Sequence, residues 1–135
     1  MSKLLTKAVQ EIGVNETSNP ARIREYHLAV GKSHSPKVSW CSSFVNWCAK
    51  ECGLERSNSA VARTWMRVGK PVPQASARPG DVLVLIRGTS KWKGHVGIII
   101  GETSGSWIVL GGNQRDAVRV ALYSKARTLA VRRLE

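Results

Sequence analysis

The sequence predicts an α+β domain in which N-terminal helices pack on a C-terminal antiparallel β-sheet of about five strands. Apolar residues recur at helical spacing before residue 70, and the segment Lys70 to Pro79 then holds three prolines. Short apolar runs joined by Gly-rich linkers follow. Helices that precede strands, rather than alternate with them, are typical of α+β folds. A length of 135 residues fits one domain, spanning 1–135.

Four helices are predicted, and their ends are marked by glycines or by a proline at the first helical position. The predicted ranges are 3–13, 20–31, 41–52 and 58–68. The residues expected to face inward are Leu4, Leu5, Ala8, Val9, Ile12, Ile23, Tyr26, His27, Val30, Phe44, Val45, Cys48, Cys52, Ala62, Trp65 and Met66. Cys48 and Cys52 are expected to be inert core thiols.

Five strands are predicted after the proline-rich segment, at 81–87, 95–102, 106–112, 117–123 and 129–134. The first two are almost uniformly apolar, which is typical of central strands buried on both faces. The last two alternate apolar and polar residues, which indicates an edge or a half-exposed face. Asp81 follows Pro79-Gly80 and is expected to serve the turn that starts the first strand.

The composition indicates a polyanionic partner. Lys and Arg number 21 against 9 Asp and Glu, so the net charge is +12 and the pI is near 10.4. This excess favours attraction to nucleic acid, to a membrane face or to an anionic cell envelope. An apolar fraction of 42% excludes a disordered chain. No groove-reading motif or stacking aromatic stripe is present, so no specific nucleic acid is expected.

The N-terminus and the cysteines indicate where the protein is made and whether it holds a metal. The first residues lack the apolar run of a signal peptide, and no window is long enough to span a membrane. We therefore expect synthesis in a cytoplasm without an export signal. Three cysteines within twelve residues fit neither a disulfide scaffold nor a zinc site, so we expect no metal and no cofactor.

Three polar residues, Cys41, His95 and Asn113, lie at the ends of predicted elements. Cys41 opens a predicted helix, whose dipole favours a thiolate. His95 follows Gly94 at the start of an apolar strand, and Asn113 follows Gly111-Gly112 at the end of the next. The order Cys, His, Asn suits a nucleophile, a general base and a polar group that fixes the imidazole.

The segments WCSSFVNWC (40–48), PGDVLVL (79–85), GHVGIIIG (94–101) and VLGGNQ (109–114) resemble the CHAP amidohydrolase/peptidase group and the related NlpC-type cell-wall peptidases. With NPARIREY (19–26), they are similar to a compact subfamily found in phages and prophages. The resemblance implies a papain-like fold and hydrolysis of amide bonds in peptidoglycan.

The resemblance also implies roles for individual residues. Cys41 matches the nucleophile, His95 the general base and Asn113 the variable third position, for which Gln114 or Asp116 could serve instead. The oxyanion hole would use the backbone N–H of Cys41. The candidates for its second donor are Tyr26 and Ser39, and the candidates for the cleft wall or substrate contacts are Trp40, Trp65, Trp92 and Gln114.

The implied function is that of a phage endolysin, which cuts a stem-peptide or cross-link bond or the bond between muramic acid and L-alanine. Acting as a monomer, it would reach the wall or periplasm after a holin opens the membrane. The basic surface would attract anionic envelope polymers, in place of a separate wall-binding domain. A papain-fold acyltransferase and an interbacterial toxin remain alternatives, with a basic nucleic-acid-binding module less favoured.

Overall fold

A computed structural model describes residues 2–135 and shows three α-helices, which precede a six-stranded antiparallel sheet. The helices are α1 (Lys3–Val9), α2 (Pro20–Leu28) and α3 (Cys41–Glu51). Short 3-10 helices occupy Ala62–Arg67, Gln74–Ser76 and Lys125–Arg127. The predicted α+β class is confirmed.

The strands are β1 (Lys70–Pro71), β2 (Val82–Ile86), β3 (Gly94–Glu102), β4 (Ser106–Gln114), β5 (Ala117–Ser124) and β6 (Thr128–Arg133). Their order in the sheet is β1-β6-β2-β3-β4-β5. The two apolar strands, β2 and β3, lie in the interior of the sheet, and β5 forms an edge, as predicted. Prediction missed β1, because two residues with one proline carry no periodic signal.

Apolar side chains fill both faces of the sheet. The larger cluster joins the helices to one face and includes Trp40, Phe44, Trp65, Val96 and Ile98. A smaller cluster on the sheet contains Leu83, Leu85, Ile99, Trp107, Val109 and Val131. Burial on both sides explains why β2 and β3 lack alternation.

Two predicted helices differ from the structure. The first ends at Val9 rather than at Gly13, because residues 10–13 turn so that the Gly13 N–H donates to Val118 O at 3.0 Å. Val9 and Ile12 are consequently exposed, although helical periodicity placed them inward. The helix predicted over 58–68 is a 3-10 helix of Ala62–Arg67. It begins late because Asn58 has a φ of +57° and its N–H donates to the Asn46 side chain.

Several basic residues have structural roles in addition to contributing charge. Arg133 forms a bidentate pair with the buried Asp81, at 2.8 Å for each contact. Arg132 donates to two backbone carbonyls, and Arg22 pairs with Glu11. The Asp81 carboxylate also accepts from the backbone N–H of residue 78, which confirms its expected place in the turn. No helix in residues 2–135 has the length and apolarity needed to cross a membrane.

Candidate active site

Cys41 is the first residue of α3, and its side chain is only 2% exposed. The first N–H groups of a helix have no intrahelical acceptor, so this end carries partial positive charge. The thiol therefore lies where a thiolate is favoured. The backbone N–H of Cys41 itself is one of these free donors.

A buried polar network holds the chain segment that passes beside the start of α3. The Asn46 side chain donates to Ser57 Oγ and Ser59 O, and its oxygen accepts from the Asn58 N–H. Ser42 Oγ donates to Ser59 O at 2.6 Å. These contacts fix the segment that leads into Ala60–Ala62, which forms one wall beside Cys41.

His95 is the second residue of β3 and is held within hydrogen-bonding reach of Cys41. Gly94 permits this placement, because a Cβ there would lie 2.8 Å from Leu85 O. His95 pairs with Leu85 across the β2–β3 ladder, so the backbone on both sides of the imidazole is fixed. The structure brings together the predicted nucleophile and the predicted base.

Gln114 is the side chain that orients the imidazole. Its Oε1 lies 2.9 Å from His95 Nε2, while its Nε2 donates to Arg119 O at 2.6 Å and to Val109 O at 3.3 Å. Since both amide protons face carbonyls, the oxygen must face the ring, and His95 Nε2 must carry a proton. The Nδ1 atom is then the ring nitrogen that can exchange a proton with Cys41.

Gly111 makes room for this hydrogen bond. A Cβ at residue 111 would lie 2.6 Å from Gln114 Oε1 and 3.5 Å from His95 Nε2. The register of the β4–β5 pair shifts between Gly111 and Gln114, which turns the Gln114 side chain back under the strand. The Gly-Gly-Asn-Gln segment therefore places the Gln114 side-chain amide against the His95 imidazole.

Cys41 and His95 shift each other's proton affinity. Burial by itself raises the pKa of the Cys41 thiol, but hydrogen bonds from His95, the Val96 N–H and Ser39, with the positive charge of His95, lower it to about 7. Burial lowers the pKa of His95, but the hydrogen bond and charge of Cys41 and the contact with Gln114 outweigh it and raise the pKa. Each group of the pair therefore favours the charged form of the other.

Asn113, predicted as the third residue, has no hydrogen bond to His95. It has a φ of +60°, and its Nδ2 donates to Ser39 Oγ at 3.4 Å. The neighbouring Gln114, the alternative considered from sequence, has the contact instead. Asp116, the other alternative, lies exposed in the turn after β4 and makes no side-chain bond to the imidazole.

Ser39 and Tyr26 were both candidates for the oxyanion hole, and the structure separates them. Ser39 is exposed, lines the same cleft as Cys41 and helps to lower the pKa of its thiol. Tyr26 is fully buried, and its hydroxyl donates to Glu11 Oε1 at 2.6 Å. The prediction that Tyr26 lines the site is wrong, because α2 directs it into the core.

Two of the three tryptophans proposed for the cleft lie in the core. Trp40 is fully buried against Gly112, and its Nε1 donates to Glu16 at 2.9 Å. Trp65 is fully buried and donates to Ser42 Oγ. Trp92, in contrast, is 71% exposed. The cleft-lining prediction is therefore wrong for Trp40 and Trp65.

Trp92 stands at the mouth of a cleft of about 450 Å³, which is lined by Ser39, Cys41, Ala60, Val61, Ala62, Arg87, Trp92, Lys93 and Gly94. Arg63 holds the loop that carries Trp92, since it donates to Lys93 O at 2.8 Å and to Ser90 O at 2.6 Å. The exposed indole is thus mounted on an anchored loop.

Sequence reasoning missed two further residues near the imidazole. The Tyr123 hydroxyl lies 3.3 Å from His95 Nε2, as a second acceptor, and its ring centroid lies 5.2 Å from that of His95. The positive charge of Arg87 acts to lower the pKa of His95. Neither residue belongs to a local motif, because Tyr123 lies on β5 and Arg87 directly follows β2, both distant from His95 along the chain.

The fold and this site define a papain-like domain with a cysteine, a histidine and a glutamine in contact. A family model described as the CHAP domain matches residues 33–113, which is more than half of the chain. The chain belongs to the CHAP domain family. The matched range contains Cys41 and His95 and ends one residue before Gln114.

Comparison with known proteins extends this result. The chain is 36% identical over 62 residues to the peptidoglycan DL-endopeptidase CwlO of Bacillus licheniformis, which is 46% of this chain and 13% of that protein. The P60 domain of a Mycobacterium avium paratuberculosis antigen matches with a TM-score of 0.62 at 14% identity, covering 98% of this chain and 91% of that one.

Two Mycobacterium tuberculosis structures are similar in the same way. The peptidoglycan hydrolase RipB matches with a TM-score of 0.61 at 19% identity, over 98% of this chain and 64% of that one. RipD, described as a non-catalytic NlpC/p60 protein adapted to peptidoglycan binding, matches with a TM-score of 0.61 at 16% identity, over 98% and 95%. These likenesses show the fold, and the predicted papain-like architecture is confirmed.

Proposed function

We propose that this chain is a cysteine-dependent peptidoglycan hydrolase that cleaves an amide bond. The observation that carries the proposal is the placement of Cys41 in the wall of a cleft, within hydrogen-bonding reach of His95, whose imidazole contacts Gln114. The peptidoglycan substrate is supported by the similarity to CwlO and to RipB. The presence of Cys41, His95 and Gln114 together supports a catalytic role over the purely wall-binding role described for RipD.

The first half of the reaction forms a thioester. The Cys41 thiolate attacks the carbonyl carbon, and the resulting oxyanion is stabilised by the backbone N–H of Cys41 and by Ser39. His95 gives the Nδ1 proton to the amine nitrogen as the carbon–nitrogen bond breaks. Gln114 accepts from Nε2 throughout, so the ring keeps one orientation.

The second half consumes water. His95 Nδ1, now unprotonated, takes a proton from a water molecule, whose oxygen attacks the thioester carbon. The carbon–sulfur bond breaks, the carboxylic acid product leaves, and the thiolate–imidazolium pair is restored. A pKa near 7 for Cys41 suits this cycle, because the thiolate is then populated at neutral pH without being a poor nucleophile.

Within the peptidoglycan substrate, we favour a bond of the stem peptide or its cross-link over the bond between muramic acid and L-alanine. CwlO is named as a DL-endopeptidase, and the aligned segment covers 46% of this chain. The products distinguish the two reactions, since an amidase frees complete stem peptides and an endopeptidase leaves part of each stem on the glycan.

We also propose that the enzyme acts as a monomeric phage endolysin, made in the host cytoplasm and admitted to the wall after a holin opens the membrane. Support comes from the resemblance to the phage subfamily and from the net charge of +12, which favours contact with anionic envelope polymers. The test is expression in a bacterial host with and without a holin. Lysis that needs both the holin and Cys41 would support this role.

The function is tested by mass spectrometry of soluble fragments released from purified peptidoglycan by the wild type and by Cys41→Ala. We expect cut stems or cross-links from the wild type alone. Release of nothing from several wall types would contradict the proposal and leave an acyltransferase or a purely binding role. Complete stem peptides would retain the hydrolase but make it an amidase.

A further inference from the structure

Two cavities meet at the Cys41–His95 pair, and each is lined by a different member of it. The cleft of about 450 Å³ contains Cys41 and Ser39 in its wall but not His95. A second cavity of about 190 Å³ contains His95, Gln114 and Tyr123 but not Cys41. Arg87 lines both cavities and marks their junction.

The chemistry proposed above assigns the two halves of the substrate to these cavities. The acyl group is bonded to the Cys41 sulfur, so it belongs in the cavity that Cys41 lines. The departing amine takes its proton from His95 Nδ1 beside Cys41, so the residue attached to that amine extends past His95 into the adjoining cavity. The smaller cavity is therefore the place for the residue that leaves with the amine.

The smaller cavity is strongly basic. Arg87, Arg115 and Arg127 line it, and none of the three forms an ion pair with a carboxylate in the part of the chain from residue 2 to residue 135. Three guanidinium groups around a small concave space, with no anion of the chain among them, suit a carboxylate ligand.

Arg127 is held in position before any ligand arrives. Its Nε and Nη2 atoms donate to Ile86 O at 3.3 and 3.0 Å, and its guanidinium carbon lies 5.2 Å from the centre of the Tyr123 ring. Arg115 has a φ of +52° in the turn between β4 and β5, which brings it to the same cavity. A preorganised guanidinium loses less side-chain entropy when it binds an anion.

We propose that this arginine cavity is a subsite for a carboxylate on the leaving-group residue of the substrate. The enzyme would then prefer amide bonds whose amine belongs to a residue with a free carboxylate, over the same bond with that carboxyl amidated. This inference rests on the proposed hydrolase function, which decides which half of the substrate lies in which cavity. It adds a preference between substrates that differ only in the amidation of that carboxyl group.

The test uses two peptides that are identical except for a carboxylate or a carboxamide on the leaving residue. We expect kcat/KM about tenfold higher for the carboxylate, since an exposed arginine site yields part of a charge-assisted hydrogen bond. Arg87→Gln and Arg115→Gln should bring that ratio towards one. Arg24→Gln, an exposed change on α2 that removes the same charge, should keep it.

Equal kcat/KM for the two peptides in the wild type would overturn the proposal, as would an equal fall of the ratio in Arg24→Gln. If neither peptide is cut, the hydrolase function fails, and the subsite is tested without turnover. The probe is then the rate of Cys41 alkylation by iodoacetate relative to iodoacetamide.

The iodoacetate-to-iodoacetamide rate ratio should fall severalfold in Arg87→Gln and Arg115→Gln but not in Arg24→Gln. That result would support a carboxylate site beside the thiol. A ratio that none of the arginine variants lowers would overturn the subsite whatever the substrate is.

Discussion

Removing the Gln114 side chain tests which residue orients His95. The structure indicates Gln114, whereas the sequence predicted Asn113. Gln114 Oε1 lies 2.9 Å from His95 Nε2, whereas the Asn113 amide is directed to Ser39. We compare Gln114→Ala with Asn113→Gly, because glycine accepts the φ of +60° at residue 113 without strain.

The magnitude follows from the one hydrogen bond that is lost. A hydrogen bond to a charged group contributes about 1.5–3 kcal/mol. At about 1.4 kcal/mol for each factor of ten, Gln114→Ala should lower kcat/KM by about tenfold to a hundredfold. Asn113→Gly leaves the imidazole bonded to its acceptor, so we expect a change below about threefold.

Gln114→Ala also leaves the carbonyls of Val109 and Arg119 without their donor, at a cost of about 1–3 kcal/mol in the free energy of unfolding. Kinetics are therefore measured well below the midpoint of thermal unfolding of each variant. A second readout is the pH dependence of Cys41 alkylation. Since Gln114 raises the pKa of His95, its loss should weaken the imidazolium and move the thiol titration upwards from about 7.

Gln114→Glu checks the orientation argument. A carboxylate would direct an oxygen towards Arg119 O, where the amide now donates at 2.6 Å. We expect a lower unfolding midpoint and no gain in activity. The reasoning is refuted if Asn113→Gly is as damaging as Gln114→Ala, or if Gln114→Glu is as stable and active as the wild type.

Three further predictions concern packing and pH. Gly111→Ala places a methyl group 2.6 Å from the Gln114 amide oxygen that holds the imidazole, so activity against peptidoglycan should fall by about tenfold or more. The control is Gly105→Ala, which has open space around it and should leave the activity unchanged. Asp81→Asn breaks the buried pair with Arg133 and should cost about 3 kcal/mol of stability in urea unfolding, with alkylation of the active thiol unchanged; a cost below about 0.5 kcal/mol would contradict this. Burial lowers the pKa of His27 in the folded state, so wild-type stability should be complete above pH 6.5 and decline as the pH falls, by at most about 1.4 kcal/mol per pH unit. His27→Gln should remove that component of the decline in thermal unfolding scans, and identical pH profiles of the two proteins would contradict it.

Periodicity predicted most of the fold, because the strongest elements carry their own signals. Strands β2 and β3 are continuous apolar runs, and α3 opens directly after a polar loop. The first helix was overestimated because Val9 and Ile12 continue the apolar stripe after the backbone has turned. A tertiary contact, the bond from Gly13 to β5, overrides the local pattern there.

The reactive pair was predictable and its surroundings were not. Cys41 and His95 stand at element ends within distinctive segments, whereas the choice between Asn113 and Gln114 depends on a register shift that has no local signature. Tyr26 and Trp40 were assigned to the cleft because they lie near Cys41 along the chain or in a matching motif. Tyr26 is directed into the core by its place on α2, and Trp40, the residue before α3, packs against Gly112.

The central claim is that His95 activates Cys41. The most direct test is the pH dependence of Cys41 alkylation with iodoacetamide. Peptide mapping after alkylation excludes the contributions of Cys48 and Cys52. The wild type should titrate with a midpoint of about 7. His95→Ala should shift the midpoint to about 8.5 or above, because burial remains and the imidazolium is gone. A wild-type midpoint near 8.5, or the same midpoint in both proteins, would contradict the account.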